Sequence, residues 1–244
     1  MDETLFIESI FNYCNSRCEL CAFKERCRVF HDMGAYRRKH PDRGPVQQTH
    51  DKFQEVFRML EEWCEREGLD FEELKREAHS GEAEAAIKRV DDAVRDDPLQ
   101  RLATAYAVAA FKLVDALSTA RRLRSWPRNV TEAIDTIAWN AGMVGAKVHR
   151  ALDGFATRND VSDEDFVQND WNGSAKVARL IVAESLDAWR VVMEAGNAAA
   201  GSPLTELIKL LGRIDDGLAH RFPRAMEFLR PGFDEPYRAG VLNE

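Results

Sequence analysis

Four of the chain's five cysteines fall within residues 14–27, CNSRCELCAFKERC, at Cys14, Cys18, Cys21 and Cys27. The spacing C-x3-C-x2-C-x5-C offers four thiolates, a donor set suited to one tetrahedral zinc ion or to an iron–sulfur cluster. Zinc, bonded to sulfur at about 2.3 Å, is usually held by two C-x2-C turns brought together from separate positions. A cubane is a larger body, served by closely successive cysteines plus one set apart. The chain has one C-x2-C pair and no second Cys or His knuckle downstream. The pattern therefore points to a [4Fe-4S] cluster, with zinc as the alternative and disulfides behind both. A metal holding four protein thiolates has no open coordination position, which favours a structural or one-electron role over Lewis-acid catalysis.

The stretch CELCAFKERC, with Phe23 between the last two cysteines, resembles the C-x2-C-x-aromatic-x3-C element that holds a [4Fe-4S] cluster in RecB-like nucleases. The resemblance implies a cluster at these cysteines and not the nuclease, whose acidic and lysine motif on an α/β core has no counterpart here. YCNSRCELCAF is also similar to the opening of uncharacterised bacterial helical proteins, which implies no activity. Cys14, Cys18 and Cys21 share the C-x3-C-x2-C spacing of radical S-adenosylmethionine enzymes, whose three cysteines leave one iron open. Cys27 would close that position, and the β/α barrel pattern of those enzymes is missing.

With 244 residues, 45% hydrophobic and 31% charged, the chain can bury a core without cross-links. Its acidic opening, MDETLFIESIFNY, lacks the character of a secretory signal, and the apolar run LATAYAVAAF is short for a membrane span. The expectation is a cytoplasmic protein with no membrane association, in a compartment where clustered cysteines hold metal or do redox chemistry. A net charge of −8 argues against a general nucleic-acid surface. Yet residues 17–43 carry a basic patch of Arg17, Lys24, Arg26, Arg28, Arg37, Arg38, Lys39 and Arg43 against Glu19, Glu25, Asp32 and Asp42. Cations beside an anionic thiolate centre are electrostatically favoured. They also suit an acidic redox partner protein, ahead of nucleic acid.

Elements that could position the cysteines are helical throughout, since apolar residues recur at helical spacing and no strand alternation is sustained. The expected fold is all-α: an N-terminal helical metal-binding segment followed by an antiparallel four-helix bundle. Phe6, Ile10, Tyr13, Cys14, Cys18 and Cys21 predict a first helix carrying the cysteines inward. After the break HPDRGP, a helix over 49–66 has Phe53, Val56, Phe57, Leu60, Trp63 and Cys64 on one face, making Cys64 a small core residue and not a fifth ligand. The expected divisions are a cysteine-cluster region 1–75, a charged helical connection 76–98, a bundle 99–230 and a tail 231–244. The bundle helices are predicted over 99–125, 130–152, 174–198 and 204–221. Asn172 with Gly173, and Ser202 with Pro203, are the start signals of the last two.

The bundle offers a second set of candidates. Glu132 and Asp135, and Glu184 and Asp187, are carboxylate pairs at i, i+3 that project from one face, as a divalent-cation site between helices requires. The pattern resembles the carboxylate motifs of all-α nucleotide pyrophosphohydrolases, which would make the protein a divalent-cation-dependent bundle enzyme. Duller roles compete: a capping box from Asn129 to Glu132, and a polar stripe of Lys176, Asp187 and Arg190. Glu184 and Asp115 are expected to face the interior and to pair with Lys147 or Lys176 across helices. His149 is read as complementing a helix end, as are Arg121, Arg122 and Arg124. His31-Asp32 resembles half of the HD phosphohydrolase signature, without the upstream histidine.

Overall fold

Apolar side chains three and four residues apart dictate this architecture, and each long segment with that spacing is helical. The computed structural model describes residues 5–123, 126–158, 166–195 and 201–234. Among the described residues there are eight α-helices and no strand. They are α1 (Arg28–Lys39), α2 (Pro45–Glu67), α3 (Phe71–Ala78), α4 (Gly81–Asp96), α5 (Pro98–Leu123), α6 (Arg128–Ala156), α7 (Asp170–Glu194) and α8 (Gly201–Arg221). Contacts divide the chain into two units, Met1–Phe11 with Cys18–Arg89, and Asn12–Arg17 with Val90–Glu244. The second division falls inside α4.

Over residues 5–27 the predicted cysteine-bearing helix does not form. Ser9 and Ser16 take left-handed backbone angles (φ 56° and 57°), which a right-handed helix cannot contain. Asn15 also draws the Arg17 N–H to its side chain at 3.2 Å, in competition with helical bonding. Short 3-10 turns result at Ile10–Tyr13, Cys18–Leu20 and Lys24–Arg26. The Ile7 N–H donates to the Arg26 carbonyl at 3.0 Å and ties the start of this segment to its end.

A clasp joins α1 to α2. Asp51 accepts from the Tyr36 hydroxyl, from Gln47 at 2.9 Å and from Arg43 at 2.8 Å. Those bonds, Tyr36 first, hold its carboxyl down at about 2. Pro45 opens α2, and Gly68 (φ 70°) closes it by donating its N–H to the Cys64 and Glu65 carbonyls. Cys64 is buried as expected, but Phe53, Val56, Phe57, Leu60 and Trp63 are exposed. Helical spacing identified the apolar stripe correctly, yet periodicity does not say what covers it.

The second unit contains the bundle. Leu99, Ala103, Tyr106, Ala110, Leu113 and Leu117 form the buried stripe of α5; Leu204, Leu207, Leu211, Ile214 and Leu218 form that of α8. Each of α5 to α8 packs on its neighbours in sequence, and α5 closes the ring on α8. Packed helices joined by as few residues as 124–127 must reverse direction. Over Pro98–Thr119, α5 has a mean hydropathy of 1.2, long and apolar enough to cross a membrane, with 28% of that window buried. The apolar run within α5 is thus longer than LATAYAVAAF implies.

The start of α7 is earlier than predicted. Asn169 caps the helix by accepting the Asn172 N–H at 2.8 Å, which places Gly173 inside it. A Cβ on Gly173 would lie 2.3 Å from the Tyr13 ring and 2.8 Å from Phe228, so the glycine is a recess for Tyr13. Residues Trp171 to Ala178 are consequently buried on every side. Gly212, inside α8, has nothing within 4 Å of its missing Cβ.

These two glycines yield opposite expectations. Gly173→Ala should destabilise the protein by about 1–3 kcal/mol through overpacking, whereas Gly212→Ala should stabilise it by about 0.5–1 kcal/mol through helix propensity. Urea denaturation of both variants is the check, and equal effects would contradict the recess.

Candidate metal centre

Each cysteine of the 14–27 segment is partly exposed, and none is in a disulfide. Cys14 belongs to the second unit, and Cys18, Cys21 and Cys27 to the first. Two of the sulfurs accept a backbone N–H from two residues downstream, Cys14 from Ser16 and Cys21 from Phe23, both at 3.4 Å. Hydrogen bonds to sulfur are among the devices by which proteins tune thiolate-bound clusters. Cys18 opens a 3-10 turn whose carbonyl accepts the Cys21 N–H at 3.2 Å. Cys27 is the N-cap of α1, with no side-chain cap bond. Among the described residues, no three His, Cys, Asp or Glu side chains gather closely enough to hold a metal ion. By residue type alone, four cysteines in one short segment, none in a disulfide and two accepting amide hydrogen bonds, are a donor set of the kind a thiolate-bound metal uses.

Residues 12–17 are fastened to α6 and α7 by side chains from well-separated parts of the sequence. Lys147 Nζ and Arg150 Nη1 both donate to the Asn12 carbonyl, at 3.1 and 3.2 Å. Trp139 Nε1 donates to the Asn15 carbonyl at 2.8 Å, and Arg17 to the Thr136 hydroxyl at 2.9 Å. Tyr13 donates to Asp170 at 3.2 Å, while Arg150 grips both oxygens of that carboxylate at 3.0 and 2.6 Å. Burial pushes the Lys147 ammonium below the usual lysine range; Cys14 opposes this, Arg150 adds to it and Asp170 opposes it. Cys14 is thus flanked on both sides by bonds to the bundle.

The cations of the basic patch are variously engaged. Arg28 pairs with Asp32 at 3.2 Å and lies over the Phe6 ring. Arg26 donates to the Leu5 carbonyl at 3.5 Å. Arg37, Arg38 and Lys39 occupy the last turn of α1, where positive charge complements the helix dipole. Lys24 and Arg26 lie in the turn before Cys27. His31 bonds its neighbour Asp32 at 3.2 Å.

The carboxylates of the bundle are placed differently from the expectation. Glu132 pairs with Arg128 at 2.7 Å, and the helix starts from Pro127 without a side-chain cap, so the Asn129 capping box does not form. Asp187 pairs with Arg190 at 2.5 Å, and Asp135 is exposed. Glu184 is also exposed, accepting from the buried Asn140 at 3.1 Å. The buried stripe of α7 runs through Ala178, Ile181, Ser185, Ala188 and Val192, and Glu184 lies one step to its side. Asp115 shares an exposed face with Val108 and Phe111, away from the α5 stripe. Neither Glu184 nor Asp115 pairs with Lys147 or Lys176. Instead Lys176 reaches the Phe228 carbonyl at 2.6 Å and Asp234 at 2.7 Å. His149 lies two turns before the end of α6, and the side chains of Arg121, Arg122 and Arg124 lie outside the described residues.

Sequence reasoning missed Trp139, Arg150, Asp170 and Tyr13 as the fastening of the Cys14 segment. The available signal was the recurrence of hydrogen-bonding side chains along one edge of α6, at Thr136, Trp139, Lys147 and Arg150. Comparison of the chain with family models, curated proteins and solved structures finds no match.

Tyr13 supplies a pH test of the fastening. Burial first, then the charge and hydrogen bond of Asp170, push its phenol up to about 12, with Arg150 opposing. The folded value exceeds the ordinary 10.0. The stabilisation is therefore complete below pH 10 and is lost as pH rises through about 12. Urea unfolding of wild type and Tyr13→Phe across that range should show the wild type losing stability faster. Parallel pH profiles would contradict the buried Tyr13–Asp170 bond.

Proposed function

We propose that Cys14, Cys18, Cys21 and Cys27 bind a [4Fe-4S] cluster and that the protein serves electron transfer or redox-linked regulation. The observation that carries this reading is the pair of amide-to-sulfur contacts at Cys14 and Cys21 within a segment of four cysteines outside any disulfide. A metal site is rarely preformed in the unfolded chain, so metal binding there contributes free energy to folding. A cluster bound there would supply one-electron chemistry. The chain's residues would supply sulfur ligation, amide dipoles on two ligands and nearby cations.

The cations of residues 17–43 support an acidic protein as the electron-exchange partner, since complementary charge speeds encounter between soluble redox proteins. A reducing cytoplasmic compartment would keep the thiols available. Zinc bound by the same four thiolates would make the segment a structural staple for an interaction module.

Metal analysis separates these outcomes. Anaerobically purified protein should contain iron and acid-labile sulfide in equal amounts, with a broad visible charge-transfer absorption. Single Cys→Ser variants at positions 14, 18, 21 and 27 should each lose most of the iron, while Cys64→Ala should retain it. Zinc without sulfide would establish the staple instead, and no bound metal would end both readings.

A further inference from the structure

The apolar stripe of α2 stands open. Val46, Phe53 and Leu60 recur every seven residues, and Val56 and Trp63 follow the last two by three, so these side chains form one seam along the helix. All are exposed, from 43% at Trp63 to 85% at Val46, and Phe57 and Met59, also exposed, widen the strip on either side. A helix of 23 residues that rests mainly on the eight-residue α3 draws little stability from propensity alone, because most helical stability comes from packing of the apolar face. Large side chains left about half in water over such a strip expose roughly 600–700 Å² of mainly apolar surface in each copy of the chain. Closed against itself, the strip would bury about 1,200–1,400 Å² in all, within the size range of specific, stable interfaces.

Charge selects the occupant and its direction, since α2 runs against its own dipole at both ends. At its start, the N-cap Gly44 makes no side-chain bond and the first turn carries no acidic residue. Its last two turns carry Glu61, Glu62, Glu65 and Glu67, with Arg66 as the cation of the last turn. Glu62 meets Arg58 at 4.0 Å, and the other three glutamates are exposed and in no ion pair among the described residues. Carboxylates are favoured at the N-terminal pole of a helix and disfavoured at the C-terminal pole. A second α2 laid antiparallel would bring each glutamate-rich end beside the other copy's open N-terminal pole while closing seam on seam. A parallel copy would instead crowd the two sets of glutamates together.

We propose that α2 is the dimerisation helix of this protein, its seam from Val46 to Trp63 packing antiparallel against the same seam of a second copy. The contact is isologous, each copy offering the same patch to the other across a two-fold axis. Apolar burial supplies the affinity, and the opposed helix ends fix the direction. None of the four N-terminal cysteines lies in the seam, and the pairing needs no metal.

Sedimentation equilibrium of the full chain, kept reduced so that no disulfide links two copies, should show a dimer of the 27.7 kDa chain at micromolar concentrations and above. Leu60→Glu and, separately, Phe53→Glu should each convert it to monomer at the same concentration, since each buries a carboxylate in the seam. Phe111→Glu, at an exposed apolar site on α5, should leave the dimer intact. Circular dichroism verifies that the bundle stays folded in every variant. The triple variant Glu61→Gln, Glu65→Gln, Glu67→Gln should dissociate roughly fivefold more readily than wild type, because the attraction of the carboxylates to the opposite N-terminal pole is lost. A wild-type chain that is monomeric throughout overturns the proposal, whether amide hydrogen exchange then finds residues 53–63 open, as for a different partner, or protected by another part of the chain. A dimer that survives both seam substitutions overturns it as well. Unchanged or tighter association of the glutamine variant overturns the antiparallel arrangement.

Discussion

The Asn12 carbonyl is the point on which the second unit's arrangement turns. It receives the Lys147 ammonium and the Arg150 guanidinium together, and Arg150 simultaneously holds the Asp170 carboxylate that Tyr13 also uses. Hydrogen bonds from charged donors contribute roughly 1.5–3 kcal/mol each, more than neutral ones, and these are partly shielded from water. Tyr13 then fills the recess left by Gly173 and packs on Phe228, at 4.6 Å between ring centroids. A stretch of only six residues, with no regular helix beyond one 3-10 turn, is in this way fixed by tertiary contacts where local propensity would leave it loose. Cys14 inherits its position from that fixation.

The same physics explains which polar residues have chemical potential and which do not. Glu132, Asp187 and Glu206 satisfy their charges within one helix surface, at i, i+3 or i, i+4, where solvated pairs contribute little. Lys176, Arg230 and Asp234 form a closed set under the end of the chain's described part. Tyr106 and Trp189 share a buried bond of 3.3 Å in the bundle core, and burial raises the Tyr106 phenol. Lys147 stands apart because it donates to a main-chain carbonyl, that of Asn12, and has no carboxylate in ion-pair contact among the described residues.

Much of the bundle was legible in the sequence because its stripes are long and unbroken: Leu204 to Leu218 and Leu99 to Leu117 each repeat at three- and four-residue steps over four turns or more. The cysteine segment was not, because Phe6, Ile10, Tyr13 and Cys14 keep helical spacing while Ser9, Asn15 and Ser16 break the backbone. Spacing reports where apolar groups recur; it is blind to a single left-handed residue. Phase errors account for Glu184 and Asp115, each placed on the wrong side of a helix whose buried stripe is narrower than its apolar content suggested. The acceptors of Lys147 and Lys176, Asn12 and Phe228, lie 135 and 52 residues away in sequence, and no local pattern announces such a pairing. The four cysteines remain the feature that sequence presents most directly, since the chemistry proposed for them is read from their types and spacing rather than from their packing.

Native mass spectrometry of the intact protein, isolated without oxygen, tests the central claim most directly. The account predicts a species heavier than the bare chain by one cluster of four iron and four sulfide, with the cysteine protons displaced. A chain at its bare mass, or lighter by the hydrogens lost to disulfides, would contradict it.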